Sequence, residues 1–109
     1  MSKKLTLQDR YYISMYSRRL QSTLKLRFAI DAFLQQIEFT HEETEKYEIG
    51  VDSNSYEFKC NNDSYTVKYD DFPSEVIEAI KNYISLYEHE QNKDNALLHK
   101  TLEYLKKVI

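Results

Sequence analysis

His41, followed four residues on by Glu45, places a nitrogen and a carboxylate on one helix face, which is half of what a metal site requires. His89 and His99 have no second His or Cys at ligand spacing, so all three histidines read as ordinary surface and no metal is expected. Cys60 alternates onto the same strand face as Tyr56 and Phe58. That is the place of a small buried hydrophobe, since a nucleophilic thiol wants a base and an electropositive, partly exposed setting. Carboxylates are dense between Glu42 and Asp71, but no two stand out as an acid/base pair, which needs one member in a desolvated pocket. With a single glycine the chain has no phosphate-cradling loop, dinucleotide fingerprint or nucleophile elbow, each of which needs several glycine positions. The expectation is a non-enzymatic protein without cofactor.

Two charged groups remain as candidate binding residues. Arg10, Arg18, Arg19, Lys25 and Arg27, interleaved with Tyr11, Tyr12 and Tyr16, form a basic and aromatic N-terminal region over which a helix-turn-helix can be drawn at residues 7–37. Against a nucleic-acid role stand an apolar second helix needed for the core and an overall charge of −3. Glu42, Glu43, Glu45 and Glu48, with Tyr56, Tyr65 and Tyr69 further on, offer an acidic, tyrosine-bearing surface for a protein partner. Tyrosine gives large contact area with a polar tip. Residues 1–36 carry a net +5, residues 37–79 a net −9 and residues 80–109 a net +1. This asymmetry fits either internal pairing or two faces shown to different partners.

The frame that must position these residues is one domain of 109 residues, 41% hydrophobic and 14% aromatic, which is ample for a single core. One unpaired cysteine excludes a disulfide scaffold. No window approaches the roughly 20 apolar residues of a membrane span, and Met1-Ser2-Lys3-Lys4 leads into no apolar signal core, so a cytoplasmic protein is expected. Phe, Tyr, Met, Ile, Asn and Lys number 42 against 10 for Gly, Ala, Arg and Pro, the bias of an AT-rich genome, which accounts for part of the tyrosine count.

Thr6 and Asp9 have capping-box spacing, and Tyr12, Met15, Tyr16 and Leu20 recur at helical period, which predicts a helix over 7–20. Gln21-Ser22-Thr23 breaks it, and Leu26, Ile30, Phe33, Leu34 and Ile37 make the strongest amphipathic stripe of the chain. The two helices are expected as an antiparallel pair. Thr40 and Glu43 start a short helix at 41–48, with Gly50 after it where a left-handed residue is commonly needed. Alternation at 55–60 and 65–69 around Asn61-Asn62-Asp63-Ser64 predicts a β-hairpin. Pro73 opens a helix at 73–90 with Val76, Ile80, Tyr83, Ile84 and Tyr87 on one face. Asn92-Lys93-Asp94 reads as a capped loop before a last helix at 95–108, led by Leu98, Leu102 and Leu105. The fold class is α+β, mainly helical, in the order α-α-α-β-β-α-α, with one antiparallel hairpin packed on the helices.

Leu5-Thr6-Leu7 with Arg10, Leu24 ahead of Ile30 and Ile37, Phe39-Thr40 with Glu42-Glu43, and Tyr47 with Ile49 run in an order that resembles small accessory proteins of tailed bacteriophages and prophages. The resemblance implies a phage or mobile-element source, action in a bacterial cell, and a host or phage protein as partner. It carries over no catalytic residue. A host defence or nucleic-acid enzyme is the sharper form of that partner. The alternatives are a nucleic-acid regulator using the basic N-terminal residues and a structural homo-oligomer joined through hairpin edges or apolar helix faces.

Overall fold

The starts of three helices are written in threonines. In the computed structural model, which describes residues 3–20, 23–88 and 96–109, the Thr6 hydroxyl accepts from the Asp9 N–H (3.0 Å) while the Asp9 carboxylate accepts from the Thr6 N–H (3.1 Å). Thr40 and Glu43 repeat this reciprocal cap at 3.1 and 2.9 Å, and Thr23 accepts from Leu26 at 3.3 Å. The elements are β1 (Lys3–Thr6), α1 (Leu7–Ser17), α2 (Leu24–Ile37), α3 (His41–Lys46), β2 (Gly50–Val51), β3 (Phe58–Lys59), β4 (Thr66–Tyr69), α4 (Ser74–Glu88) and α5 (Ala96–Lys106).

Helices α1, α2, α4 and α5 close a ring in which α1 packs on α2 and α5, and α4 packs on the same two. Ile13, Tyr16, Ile30, Phe33, Ile37, Val76, Ile80, Ile84, Leu102, Leu105 and Val108 fill its centre, with Leu5 entering from β1. The described members of each apolar stripe read at helical period thus point inward, as burial of apolar area requires. The chain ends are tied across this core. Lys107 Nζ meets Asp9 Oδ1 at 2.6 Å, and Lys3 Nζ donates to the Ile109 carbonyl at 2.6 Å.

The mainly helical α+β domain is as expected, but the strands pair differently. The segments 55–60 and 65–69 do not form a hairpin with each other. Instead β4 runs antiparallel to β1, Val67 opposite Leu5, and β3 pairs with β2, Val51 opposite Phe58. The reason is local. Tyr56 takes a left-handed φ of 59°, so the alternation over 55–60 is not a continuous strand. The Asn62 side-chain Oδ1 accepts from Ser64 N–H and Tyr65 N–H, both at 3.1 Å, and this side-chain turn aims 66–69 at the N-terminal strand, where Val67 pairs with Leu5. The hairpin that exists is β2–β3, closed by Asp52 Oδ1, which accepts from Asn54 and Ser55.

Two helix ends also differ. After Ser17 the chain tightens into i→i+3 bonds, Arg19 to Tyr16 and Leu20 to Ser17, which ends α1 early yet keeps Leu20 buried. Glu48, not Gly50, holds the left-handed position after α3, at φ 50°, with Ile49 N–H reaching back to the Thr44 carbonyl at 3.1 Å. Gly50 is thereby free to start β2. Pro73 stands one residue before α4, its carbonyl accepting from Ile77 N–H at 3.1 Å. Gln21 and Ser22 of the first break, residues 89–90 of the expected fourth helix, the Asn92-Lys93-Asp94 loop and the side chains of Leu98 and His99 lie outside the described residues.

Candidate functional site

Arg10 is the residue around which the most probing arrangement of side chains is built. Its guanidinium, 3% exposed, donates Nε to the Ile37 carbonyl (3.0 Å), Nη2 to the Glu38 carbonyl (2.8 Å), and a fork to Glu43, Nη1–Oε2 at 2.6 Å and Nη2–Oε1 at 2.9 Å. Its face lies 4.9 Å from the Phe39 ring centre. One side chain on α1 therefore satisfies carbonyls at the end of α2, where the helix leaves them without partners, and pins α3 beside it. Hydrogen bonds from Arg10 hold the Glu43 carboxyl at about 2, the Thr40 N–H adding to the effect and burial opposing it.

Above this pair opens a cleft of about 500 Å3 between the last turn of α2, α3 and β4. Tyr65, Val67 and Tyr69 of the β4 segment form one wall and Glu42, Lys46 and Tyr47 another, with Gln36 and Glu38 on the rim. Tyr47 and Tyr65 stack with ring centres 4.4 Å apart. Burial, then the Glu43 charge, pushes the Tyr65 hydroxyl up; burial alone dominates the rise at Tyr69, partly offset by Arg10. Both hydroxyls therefore remain protonated donors at neutral pH. Arg10 and Glu43 cancel, Lys46 sits 5.5 Å over the Tyr47 ring, and Glu38 and Glu42 leave the cleft with an excess of negative charge. Since four of the five Arg10 N–H bonds are spent on protein oxygens, the guanidinium is a strut and not an anion receptor.

Of the acidic and tyrosine residues singled out in the sequence, Glu42, Glu43, Tyr65 and Tyr69 come together here. Glu43 does so as the buried partner of Arg10 and is not an exposed contact. Glu45 faces outward with His41 at 3.0 Å, an exposed pair, and Glu48 is exposed behind α3. Tyr56 is 79% exposed at the tip of the β2–β3 loop, apart from the cleft. Cys60 is not a core residue. With no continuous strand over 55–60, its thiol lies half-buried, 3.6 Å from the Asn62 carbonyl and from Asp63 Oδ1. Besides Arg10, the cleft residues outside that set are Gln35, Gln36, Glu38, Thr40, Lys46, Tyr47 and Val67. Thr40 is legible as a helix cap, Val67 by strand alternation and Tyr47 as an aromatic just past a short capped helix, but none of these signals points to a cleft.

The basic set divides. Arg10 is buried and drops out, whereas Arg18, Arg19, Lys25 and Arg27 are exposed around the α1–α2 turn. Because Arg10 at the start of α1 contacts the end of α2, the two helices are antiparallel, and this basic turn lies at the other end of the pair from α3. A second groove of about 520 Å3 runs between α1 and α2, floored by Met15 and Leu34, and takes in only Arg18 of the candidates. Among the described residues, no three His, Cys, Asp or Glu side chains converge to hold a metal, and no helix is long and apolar enough to cross a membrane. No family model, curated protein or solved structure matches the chain.

Proposed function

We propose that this chain is a non-enzymatic binding protein that takes a basic segment of a protein partner into the cleft beside α3. The observation that carries the reading is the cleft itself, where Glu42, Tyr65 and Tyr69 meet over a neutralised Arg10–Glu43 base. Tyrosine walls supply apolar contact with donor hydroxyls at the tip, and the unpaired carboxylates favour lysine or arginine over an acidic ligand. Tyr56, exposed on its loop, is a second contact point. In its specific form the chain is a phage or mobile-element product acting in the bacterial cytoplasm, and the partner is a host defence or nucleic-acid enzyme.

Affinity capture from bacterial lysate, with nuclease, tests this. A discrete protein retained by the natural chain and lost from a Glu38→Lys, Glu42→Lys, Tyr65→Ala variant that still folds supports the cleft. Retention unchanged by those substitutions refutes it. The exposed group Arg18, Arg19, Lys25 and Arg27 favours one other reading, nucleic-acid binding at the α1–α2 turn. Nuclease-sensitive capture that Arg18→Ala, Arg27→Ala abolishes is its signature.

A further inference from the structure

At the far end of the helix pair from the acidic cleft, a groove of about 450 Å3 opens between the α1–α2 turn and the C-terminal half of α4. Arg19 lines it from the turn, and Asn82, Tyr83, Leu86 and Tyr87 line it from α4. Tyr83 and Tyr87, one helical turn apart, bring their ring centres to 4.5 Å, and Leu86 beside them is 62% exposed. No carboxylate among the described residues lines the groove. Its walls are aromatic and its one charge is a cation. The cations continue past it. Lys25 stands eleven residues, three turns, before Gln36 and so on the same face of α2, and Gln36 donates to the Asp71 carbonyl at the approach to α4 (2.8 Å). Lys25 therefore borders the α4 side of the turn. Arg27 stands four residues before Asp31, which lines the groove between α1 and α2 together with Arg18. All four cations are exposed and in no ion pair among the described residues, and Lys25 and Arg27 open α2, where the helix dipole disfavours positive charge.

Building on nucleic-acid binding at this turn, we infer that the groove stacks a base of a single-stranded nucleic acid whose phosphates run past Arg19 and Lys25 and over the turn to Arg18 and Arg27. A base offers the flat apolar face that Tyr87 and Leu86 take, with polar edges for Asn82, and the phosphate beside it supplies the negative charge that the cations lack. This division also suits α4, whose C-terminal end favours a neutral ring over a phosphate. A duplex keeps its bases in the stack and cannot fill the groove. A free mononucleotide fills it but leaves Lys25, Arg18 and Arg27 without a phosphate. A basic protein segment is repelled by Arg19, so this end of the molecule and the acidic cleft take ligands of opposite charge.

Fluorescence anisotropy of labelled oligothymidylate and oligouridylate, each about twelve residues long, tests this on the full chain. Binding of either is expected, with a logarithmic salt slope of about −2.8 for four neutralised phosphates, which is about a fiftyfold loss between about 50 and 200 mM salt. Leu86→Glu and Tyr87→Leu should each weaken binding at least about fivefold, whereas Tyr87→Phe, which keeps the ring, should not. Lys25→Glu should weaken it where Lys68→Glu, an equal change of charge on exposed β4, does not. Leu86 and Lys25 are exposed, so their variants keep the circular dichroism of the natural chain. Strands that bind through Arg18 and Arg27 but are indifferent to Leu86→Glu and Tyr87→Leu leave the turn as a phosphate contact and overturn the stacking groove. Equal affinity for a duplex of the same length overturns it, as does displacement of the strand by AMP or by an acidic peptide at matching concentration. No binding of either oligonucleotide at about 50 mM salt overturns both the groove and nucleic-acid binding at the turn.

Discussion

Arg10 shows how much a single side chain can hold. Its fork to Glu43, its two bonds to carbonyls of the α2 terminus and its packing on Phe39 join three helices at a point that is 3% exposed. Removing one member of such a pair strands the other in a dry site, so Glu43→Ala or Arg10→Ala should cost about 3–5 kcal/mol by urea denaturation. Acid titration gives the sign independently. Glu43 is held at about 2 when folded and near 4.5 otherwise, so its contribution is complete above about pH 4.5 and is lost as pH falls toward 2. The stability difference between the natural chain and Glu43→Gln should shrink over that interval and stay flat from pH 5 to 8. In the sequence, Arg10 is one of several arginines among tyrosines, and its type and spacing suit nucleic acid as well as any. What makes it a strut is three oxygen-bearing partners that lie 27 to 33 residues away. The same holds for Cys60, whose alternation with Tyr56 and Phe58 is real in the sequence but is carried only by the two-residue strand β3, which ends before Cys60.

At the scale of elements, the left-handed residue after α3 and the pairing of β4 are the instructive cases. Glu48 carries φ 50° at a place where glycine pays no steric penalty, so Glu48→Gly should stabilise the protein by roughly 1 kcal/mol. Gly50→Ala should be neutral or slightly stabilising, because Gly50 has no positive φ and an added Cβ would meet only Lys59 Cε at 3.6 Å. Thermal or urea unfolding of the two variants distinguishes the positions, and the opposite order would contradict this helix end. For β1 and β4, Leu5 is 1% exposed and directly opposite Val67, so Leu5→Ala should cost about 2–5 kcal/mol although it lies among the first residues of the chain. Helix starts were legible because a cap is made by residues three apart. Strand pairing was not, since residues 3–6 and 66–69 are separated by most of the chain and the alternation of 65–69 is equally compatible with a neighbour on either side.

The molecule as a whole is electrically polar along α1 and α2, its basic turn and its acidic α3 end separated by the length of the helix pair, about 20 Å for the fourteen residues of α2. Internal pairing consumes part of the charge through Arg10–Glu43 and Lys107–Asp9, and leaves Arg18, Lys25, Arg27, Glu42 and Glu48 at the surface. Capture of a basic partner at the acidic end should therefore weaken several-fold between about 0.05 and 0.5 M salt, as screening shortens from roughly 14 to 4 Å. Glu42→Lys should slow association more than it speeds dissociation, measured by surface plasmon resonance. By itself the sequence determined what depends on neighbours within a few residues: the caps at Thr6, Thr23 and Thr40, the inward stripes of α1, α2 and α4, and the segregation of basic and acidic runs. Only the tertiary structure decided which charges are spent inside, which tyrosines meet in one cleft, which strand lies against β1, and which face of α2 is left open. Those outcomes are set by long-range packing, where burial of Leu5 and Arg10 and the pairing of Leu5 with Val67 select among local conformations that the sequence alone leaves nearly equal.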